Sequence, residues 1–137
     1  MRNVSLAGNI LLFIFGLLFI FHLLVLSGIV PYDIVWAGKI SNREEMIRME
    51  SISLFLLAIA IMVVVLRMEY LPLPIPAKVN RIGIWALVAL FTLNTIGNFT
   101  AKHPLEKYGF GLLTFVITLL LFQLAIASQN HQSCKEY

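Results

Sequence analysis

Cysteine is almost missing from this chain, because its 137 residues include only one, Cys134. A single cysteine excludes an intrachain disulfide, and without a Cys-X-X-Cys pair the chain lacks the motif of quinone-linked thiol oxidoreductases. Charge is also scarce: Asp, Glu, Lys and Arg make up 12% of the residues, against about 25% in soluble proteins. The net charge of +3 is too small and too scattered to indicate nucleic-acid binding.

Hydrophobic residues, by contrast, make up 60% of the chain and occur in four long stretches, at about 4–30, 46–66, 82–101 and 108–128. A helix needs roughly 20 apolar residues to cross a hydrocarbon core of about 30 Å, and each stretch reaches that length. The connections are too short to form a soluble domain. The sequence therefore predicts an all-α polytopic membrane protein, with one membrane domain over 1–137 folded as an antiparallel bundle of four transmembrane helices.

The connections carry capping and turn signals. Pro31 is expected to end the first helix. Ser41, followed by Glu44, matches a capping box and predicts the start of the second helix. Asn80 predicts a cap for the third. In the second connection, at 71–76, proline alternates with apolar residues, a pattern that favours polyproline II lying along the membrane interface.

Polar side chains within the apolar stretches fall mostly in one half of the membrane. Counted from the face that holds the first and third connections, His22, Glu50, Asn94 and Asn98 lie at similar depths on three helices. Asn94 and Asn98 share one helix face, being four residues apart. Because an unpaired polar group in lipid costs free energy, the pattern predicts a ligand-binding cavity lined by these four residues.

Two residues of the first connection, Asp33 and Trp36, are expected to form the lip of this cavity. A second interpretation stays open, in which the polar residues only hold the helices together. Hydrogen bonds between membrane helices contribute about 0.6 kcal/mol on average. In that case Glu50 pairs with Arg43 or Arg48, and His22 donates to a carbonyl.

Orientation in the membrane is weakly encoded in the basic residues, which divide equally between the two faces. The face of the termini carries Arg2, Arg67, Lys78, Arg81 and Lys135, and the opposite face carries Lys39, Arg43, Arg48, Lys102 and Lys107. Acids accompany most of the second set, whereas the second connection holds a single acid, Glu69. We therefore expect the termini to be cytoplasmic.

Two groups of residues carry a resemblance: Pro31-Tyr32-Asp33 with Trp36-Ala37-Gly38, and Asn94-Thr95-Ile96-Gly97-Asn98 with Glu106-Lys107. They resemble a family of small bacterial four-helix integral membrane proteins that has no assigned activity. The resemblance covers nearly the whole chain, with Ala37 where the family is expected to have glycine. It implies a multi-pass protein of the bacterial inner membrane and directs attention to the first connection and the end of the third helix.

Three functions are compatible with these features. The favoured hypothesis is a protein that binds a small molecule or lipid in the polar cavity. An alternative is an accessory or structural subunit whose polar residues contact a membrane partner protein or a second copy. The third, less favoured, is an intramembrane enzyme with His22 and Glu50 as an acid/base pair acting on an apolar substrate. No metal-ligand cluster or cofactor motif is present in the sequence, so no metal or cofactor is predicted.

Overall fold

A computed structural model describes residues 2–32, 40, 42–101 and 104–133, and nearly all of them are helical. α1 spans Arg2–Leu26, α2 Arg43–Arg67, α3 Ala77–Phe99 and α4 Gly111–Ser133, and a π-helical turn, Leu105–Phe110, leads into α4. No strand occurs in these ranges. Each helix, with α4 counted from the π-helical turn, is long and apolar enough to cross a membrane. The predicted all-α, multi-pass membrane fold is therefore confirmed.

The helices pack as a ring in the order α1, α2, α3, α4. Contacts at both ends show that α1 and α2 run antiparallel: His22 bonds Glu50 at one end, and Asn9 of α1 bonds Tyr70, just after α2, at the other. In the centre, buried apolar side chains from all four helices form one core. Large apolar side chains also cover the outer surface, as a lipid-facing surface requires.

The first helix ends earlier than expected, before Pro31 is reached. Gly28 adopts the left-handed conformation with φ 82°. Its N–H donates to the carbonyl of Val25, and the N–H of Ile29 donates to the carbonyl of Leu24. These two bonds form a Schellman motif, which satisfies the last carbonyls of α1 and stops the helix. Glycine, and not proline, therefore ends α1.

Both predicted N-caps differ from the observed ones. The cap of α2 is Asn42, whose side chain accepts the N–H of Glu45 at 2.9 Å; Ser41 lies outside the described residues. α3 begins directly after Pro76, so that Asn80 lies within its first turns and is not a cap. α2 and α3 begin before their apolar stretches because the polar residues there still favour helix, and the caps Asn42 and Pro76 set where each helix starts.

The proline-rich segment at 71–76 is not polyproline II, which has no internal hydrogen bonds. The N–H of Leu73 donates to the carbonyl of Leu71, and the N–H of Ile75 to that of Leu73, both at 2.8 Å. Bonds that skip one residue define γ-turns, here centred on Pro72 and Pro74, whose fixed φ suits the inverse form. The connection from α2 to α3 is therefore a compact folded segment.

Candidate functional site

One wall of the candidate site is a hydrogen-bonded pair between α1 and α2. Nδ1 of His22, in the last two turns of α1, lies 2.6 Å from Oε2 of Glu50, in the second turn of α2. Glu50 is 1% exposed, and the His22 side chain is 22% exposed. A carboxyl group buried this deeply is costly unless it is paired. The structure therefore places in contact the two titratable residues predicted from the apolar stretches.

The opposite wall is formed by α3 and α4 and contains both predicted asparagines. Asn98 donates from Nδ2 to Oγ1 of Thr114 at 3.3 Å. That hydroxyl also bonds its own helix, at the carbonyl of Phe110, so Asn98 serves helix packing as well as lining the site. Asn94 is exposed and has no side-chain hydrogen bond to any residue that the structure describes. Its amide is the polar group most available to a ligand.

Between these walls lies a cleft of about 430 Å³, lined mainly by apolar side chains. Ile52 and Leu56 of α2 and Leu90 and Leu93 of α3 line it and are also exposed on the outer surface, by 37% for Leu90 and up to 69% for Leu93. α2 and α3 make the least contact of the four neighbouring helix pairs. The cleft therefore opens sideways between α2 and α3, towards the hydrocarbon of the membrane.

The far side of the cleft is closed by the start of α4. The π-helical turn brings Glu106 and Phe110 to the lining, and the rings of Phe21 and Phe110 meet with centroids 5.6 Å apart. The sequence alone predicts Glu106 in the third connection, before the fourth apolar stretch. π-Helical turns have no reliable sequence signature, although the spacing of four between Glu106 and Phe110 is a signal that they share a helix face.

Among the residues that the structure describes, acidic side chains predominate among the titratable groups of the cleft. The described lining includes two carboxyl groups, from Glu50 and Glu106, and one imidazole, from His22, and no described Lys or Arg belongs to it. Carboxylates accept hydrogen bonds and attract cations. The lining therefore favours a ligand whose polar end carries hydroxyl or amine donors over one with an anionic end.

Some of the predicted site features lie outside this geometry. Asp33 and Trp36, the expected lip, lie outside the described residues. Within the described ranges, no group of three or more His, Cys, Asp or Glu side chains is placed to hold a metal ion. Thr95 and Thr118 meet at 3.3 Å between α3 and α4, but each hydroxyl also bonds a carbonyl of its own helix. This seam contributes to packing.

Comparisons with protein-family models, with curated protein sequences and with solved structures find no match for this chain. The resemblance carried by the first connection and by the end of α3 therefore stays a prediction.

Proposed function

We propose that this protein binds a lipid-like amphiphile, with the polar end of the ligand at the His22–Glu50 pair and Asn94 and its apolar part in the gap between α2 and α3. The observation that carries the proposal is that the pair lines a mainly apolar cleft whose lining side chains on α2 and α3 are also exposed on the outer surface. A molecule dissolved in the bilayer reaches such a cleft without crossing water, and its apolar part replaces lipid contacts along α2 and α3.

The chemistry of the lining selects the head group. Glu50 and Glu106 disfavour an anionic end, whereas a hydroxyl or ammonium group donates to a carboxylate in a charge-assisted hydrogen bond. Three probes that share an oleyl chain separate these cases: oleylamine, monooleoylglycerol and oleate. We expect oleylamine and monooleoylglycerol to raise the thermal unfolding midpoint of the detergent-solubilised protein, and oleate to raise it least.

Two substitutions test whether the cleft is responsible. Glu50→Gln removes the charge and nearly keeps the shape, and Asn94→Leu removes an amide that supports no helix contact among the described residues. Both should reduce the stabilisation by oleylamine. Thr92→Leu is the matched control, because Thr92 is an exposed α3 residue that bonds only its own helix and does not line the cleft. An unchanged oleylamine response in Glu50→Gln would count decisively against the proposal.

A second candidate function is an intramembrane acid/base enzyme, favoured by the 2.6 Å contact between Nδ1 and Oε2. With Glu50 ionised, Nδ1 donates to it, and Nε2 of His22 is then the nitrogen that accepts a proton. The carboxylate fixes both the tautomer and the orientation of the ring, as in carboxylate–histidine pairs of known enzymes. The site supplies the proton-transfer groups for an apolar substrate with an acidic C–H bond.

Deuterium incorporation distinguishes this enzyme from a binding protein. The protein is incubated with extracted membrane lipids in D2O, and the lipids are analysed by mass spectrometry. A catalyst of proton transfer at carbon should add deuterium to a lipid in a reaction that His22→Ala abolishes. Without His22-dependent incorporation, the cleft binds but does not catalyse.

We further propose that the protein resides in the bacterial inner membrane with both termini in the cytoplasm. The support is the basic character of the second connection, where Glu69 is the single acid beside Arg67, Lys78 and Arg81. Cys134 is the only thiol, so a membrane-impermeant maleimide reports the side of the C-terminus. Labelling should occur only after the membrane is opened; labelling of intact cells would reverse the orientation.

A further inference from the structure

A second recess lies at the opposite face of the membrane, where α2 ends and α3 begins. It has a volume of about 520 Å³, and its polar lining includes Arg67, Asn80 and Arg81, with the γ-turn segment at 71–76 along one side. We call it the Arg67 recess. Arg67 is roughly 25 Å further along α2 than Glu50, from the rise of an α-helix, so the recess is separate from the cleft.

Two buried polar atoms of residues that line this recess have no hydrogen-bond partner in the part of the chain that the structure describes. Nε of Arg67 is a donor without an acceptor, and Oδ1 of Asn80 is an acceptor without a donor. A buried donor or acceptor without a partner costs free energy, which a ligand with matching groups recovers. Arg67 and Arg81 also form no ion pair with any residue that the structure describes, although Glu69 lines the same recess. The recess therefore lacks one acceptor, which is preferably anionic, and one donor.

The start of α3 adds positive potential to the same place. Pro76 caps α3 without a side-chain hydrogen bond, and Ala77, the first residue of the helix, lines the recess. The first N–H groups of a helix are unsatisfied and carry the positive end of its dipole, so they attract phosphate groups.

We propose that the Arg67 recess binds a phosphate group that also carries a hydroxyl or ammonium donor, as in the head group of a glycerophospholipid. The phosphate oxygens accept from Nε of Arg67 and from Arg81, in the bidentate geometry that guanidinium groups favour. The hydroxyl or ammonium group donates to Oδ1 of Asn80. The site is independent of the proposed cleft ligand, because the two sites share no described lining residue.

A lipid is favoured over free phosphate because of where the recess lies and what else lines it. It is at the end of a membrane-spanning helix, which is the level of the head groups. Leu71, Leu73 and Ile75 line it and are 37–49% exposed, so they offer apolar contact for the glycerol backbone and the start of an acyl chain. A free phosphate ion makes no use of that surface.

The test measures lipid binding to the full-length protein by native mass spectrometry, together with the thermal unfolding midpoint. The probes are phosphatidylglycerol, phosphatidylcholine with the same acyl chains, and inorganic phosphate. Phosphatidylglycerol should bind most tightly, because phosphatidylcholine has no hydroxyl or N–H donor for Asn80. Arg67→Gln and Arg81→Gln should each weaken phosphatidylglycerol binding by about tenfold or more.

Three further variants separate a built site from general surface charge. Lys78→Gln removes the same charge from the first turn of α3 but from a residue outside the recess, so it should keep nearly all of the binding. Arg67→Lys keeps the charge but lacks Nε, and it should still lose affinity; it also serves if Arg67→Gln does not fold. Glu69→Gln removes the one carboxylate of the described lining and should tighten binding.

Four results would overturn the proposal. Equal losses in Lys78→Gln and Arg67→Gln would show a diffuse electrostatic attraction. Unchanged phosphatidylglycerol binding in both Arg67→Gln and Arg81→Gln would show that the recess is not the binding site. Weaker binding in Glu69→Gln would indicate a cationic ligand instead. If inorganic phosphate stabilises the protein as much as phosphatidylglycerol does, the ligand is a soluble phosphate compound and not a lipid.

Discussion

The hydrogen bond between His22 and Glu50 should couple α1 to α2 more strongly than the bond between Asn98 and Thr114 couples α3 to α4. The first joins two titratable side chains at 2.6 Å, with Glu50 almost fully buried. The second joins neutral groups at 3.3 Å, and Thr114 already bonds a carbonyl of its own helix. The pair Asn98–Thr114 is therefore a matched internal control at a similar depth.

The magnitude follows from what such bonds contribute in membranes. Interhelical hydrogen bonds contribute about 0.6 kcal/mol on average and up to about 1.7 kcal/mol. A distance of 2.6 Å is at the short end even for charge-assisted bonds. We therefore expect a coupling energy of about 1–2 kcal/mol for His22–Glu50, and about 0.5 kcal/mol or less for Asn98–Thr114.

A double-mutant cycle measures this coupling directly. The cycle consists of the unmodified protein, His22→Ala, Glu50→Ala and the double variant. The free energy of unfolding comes from titration with sodium dodecyl sulfate in mixed micelles, followed by circular dichroism. A coupling energy below about 0.3 kcal/mol, the usual limit of additivity, would refute the reasoning. So would a value no larger than that of the Asn98–Thr114 cycle.

Three further changes test the ends and contacts of the helices. Glu69 has φ 58° in the turn that ends α2, the position that Gly28 occupies after α1. Glu69→Gly should therefore raise the free energy of unfolding by about 1 kcal/mol. Glu69→Gln controls for the loss of charge, and a destabilised glycine variant would contradict the expectation. Asn42→Ala should lower the free energy of unfolding by about 1 kcal/mol, and Asn42→Asp should hardly change it. Equal losses in the two variants would show that the cap contributes nothing. A Cβ at Gly8 would lie 2.2 Å from the sulfur of Met68, so Gly8→Ala should lower the thermal unfolding midpoint. The loss should disappear when Met68→Ala is added in the same chain. An equal loss with and without Met68→Ala would refute the contact.

The span count and the depth of the polar residues could be predicted from the sequence because both depend on simple lengths. Twenty or so apolar residues are needed to cross a membrane whatever their neighbours are. Depth follows from the helical rise, and it brings His22 and Glu50 to the same level once the helices alternate in direction. Depth alone did not show that Asn98 bonds Thr114 while Asn94 stays free of described partners, because this depends on helix rotation.

The features that could not be predicted from the sequence depend on local backbone conformations, for which the sequence carries only weak signals. Gly28 ends α1 several residues before Pro31 because a left-handed residue satisfies the last carbonyls. The π-helical turn brings Glu106 to the lining of the cleft, and no reliable residue pattern predicts the backbone hydrogen bonds of such a turn. Residues of the segment at 71–76 line one side of the Arg67 recess, and this segment forms γ-turns where its alternating prolines predict polyproline II.

The two ends of α2 show which polar groups the fold itself explains. Arg67 lies in the last turn and Glu44 and Glu45 in the first, and all three charges suit the helix dipole. The dipole does not explain why Nε of Arg67 is buried with no partner among the described residues. It does not explain Glu50 either, which lies beyond the first turn and depends on His22. Replacing a buried pair of this kind by apolar side chains of similar volume is often neutral for stability. Both ends therefore keep polar groups that packing alone does not explain, and these are the groups on which the two proposed binding sites depend.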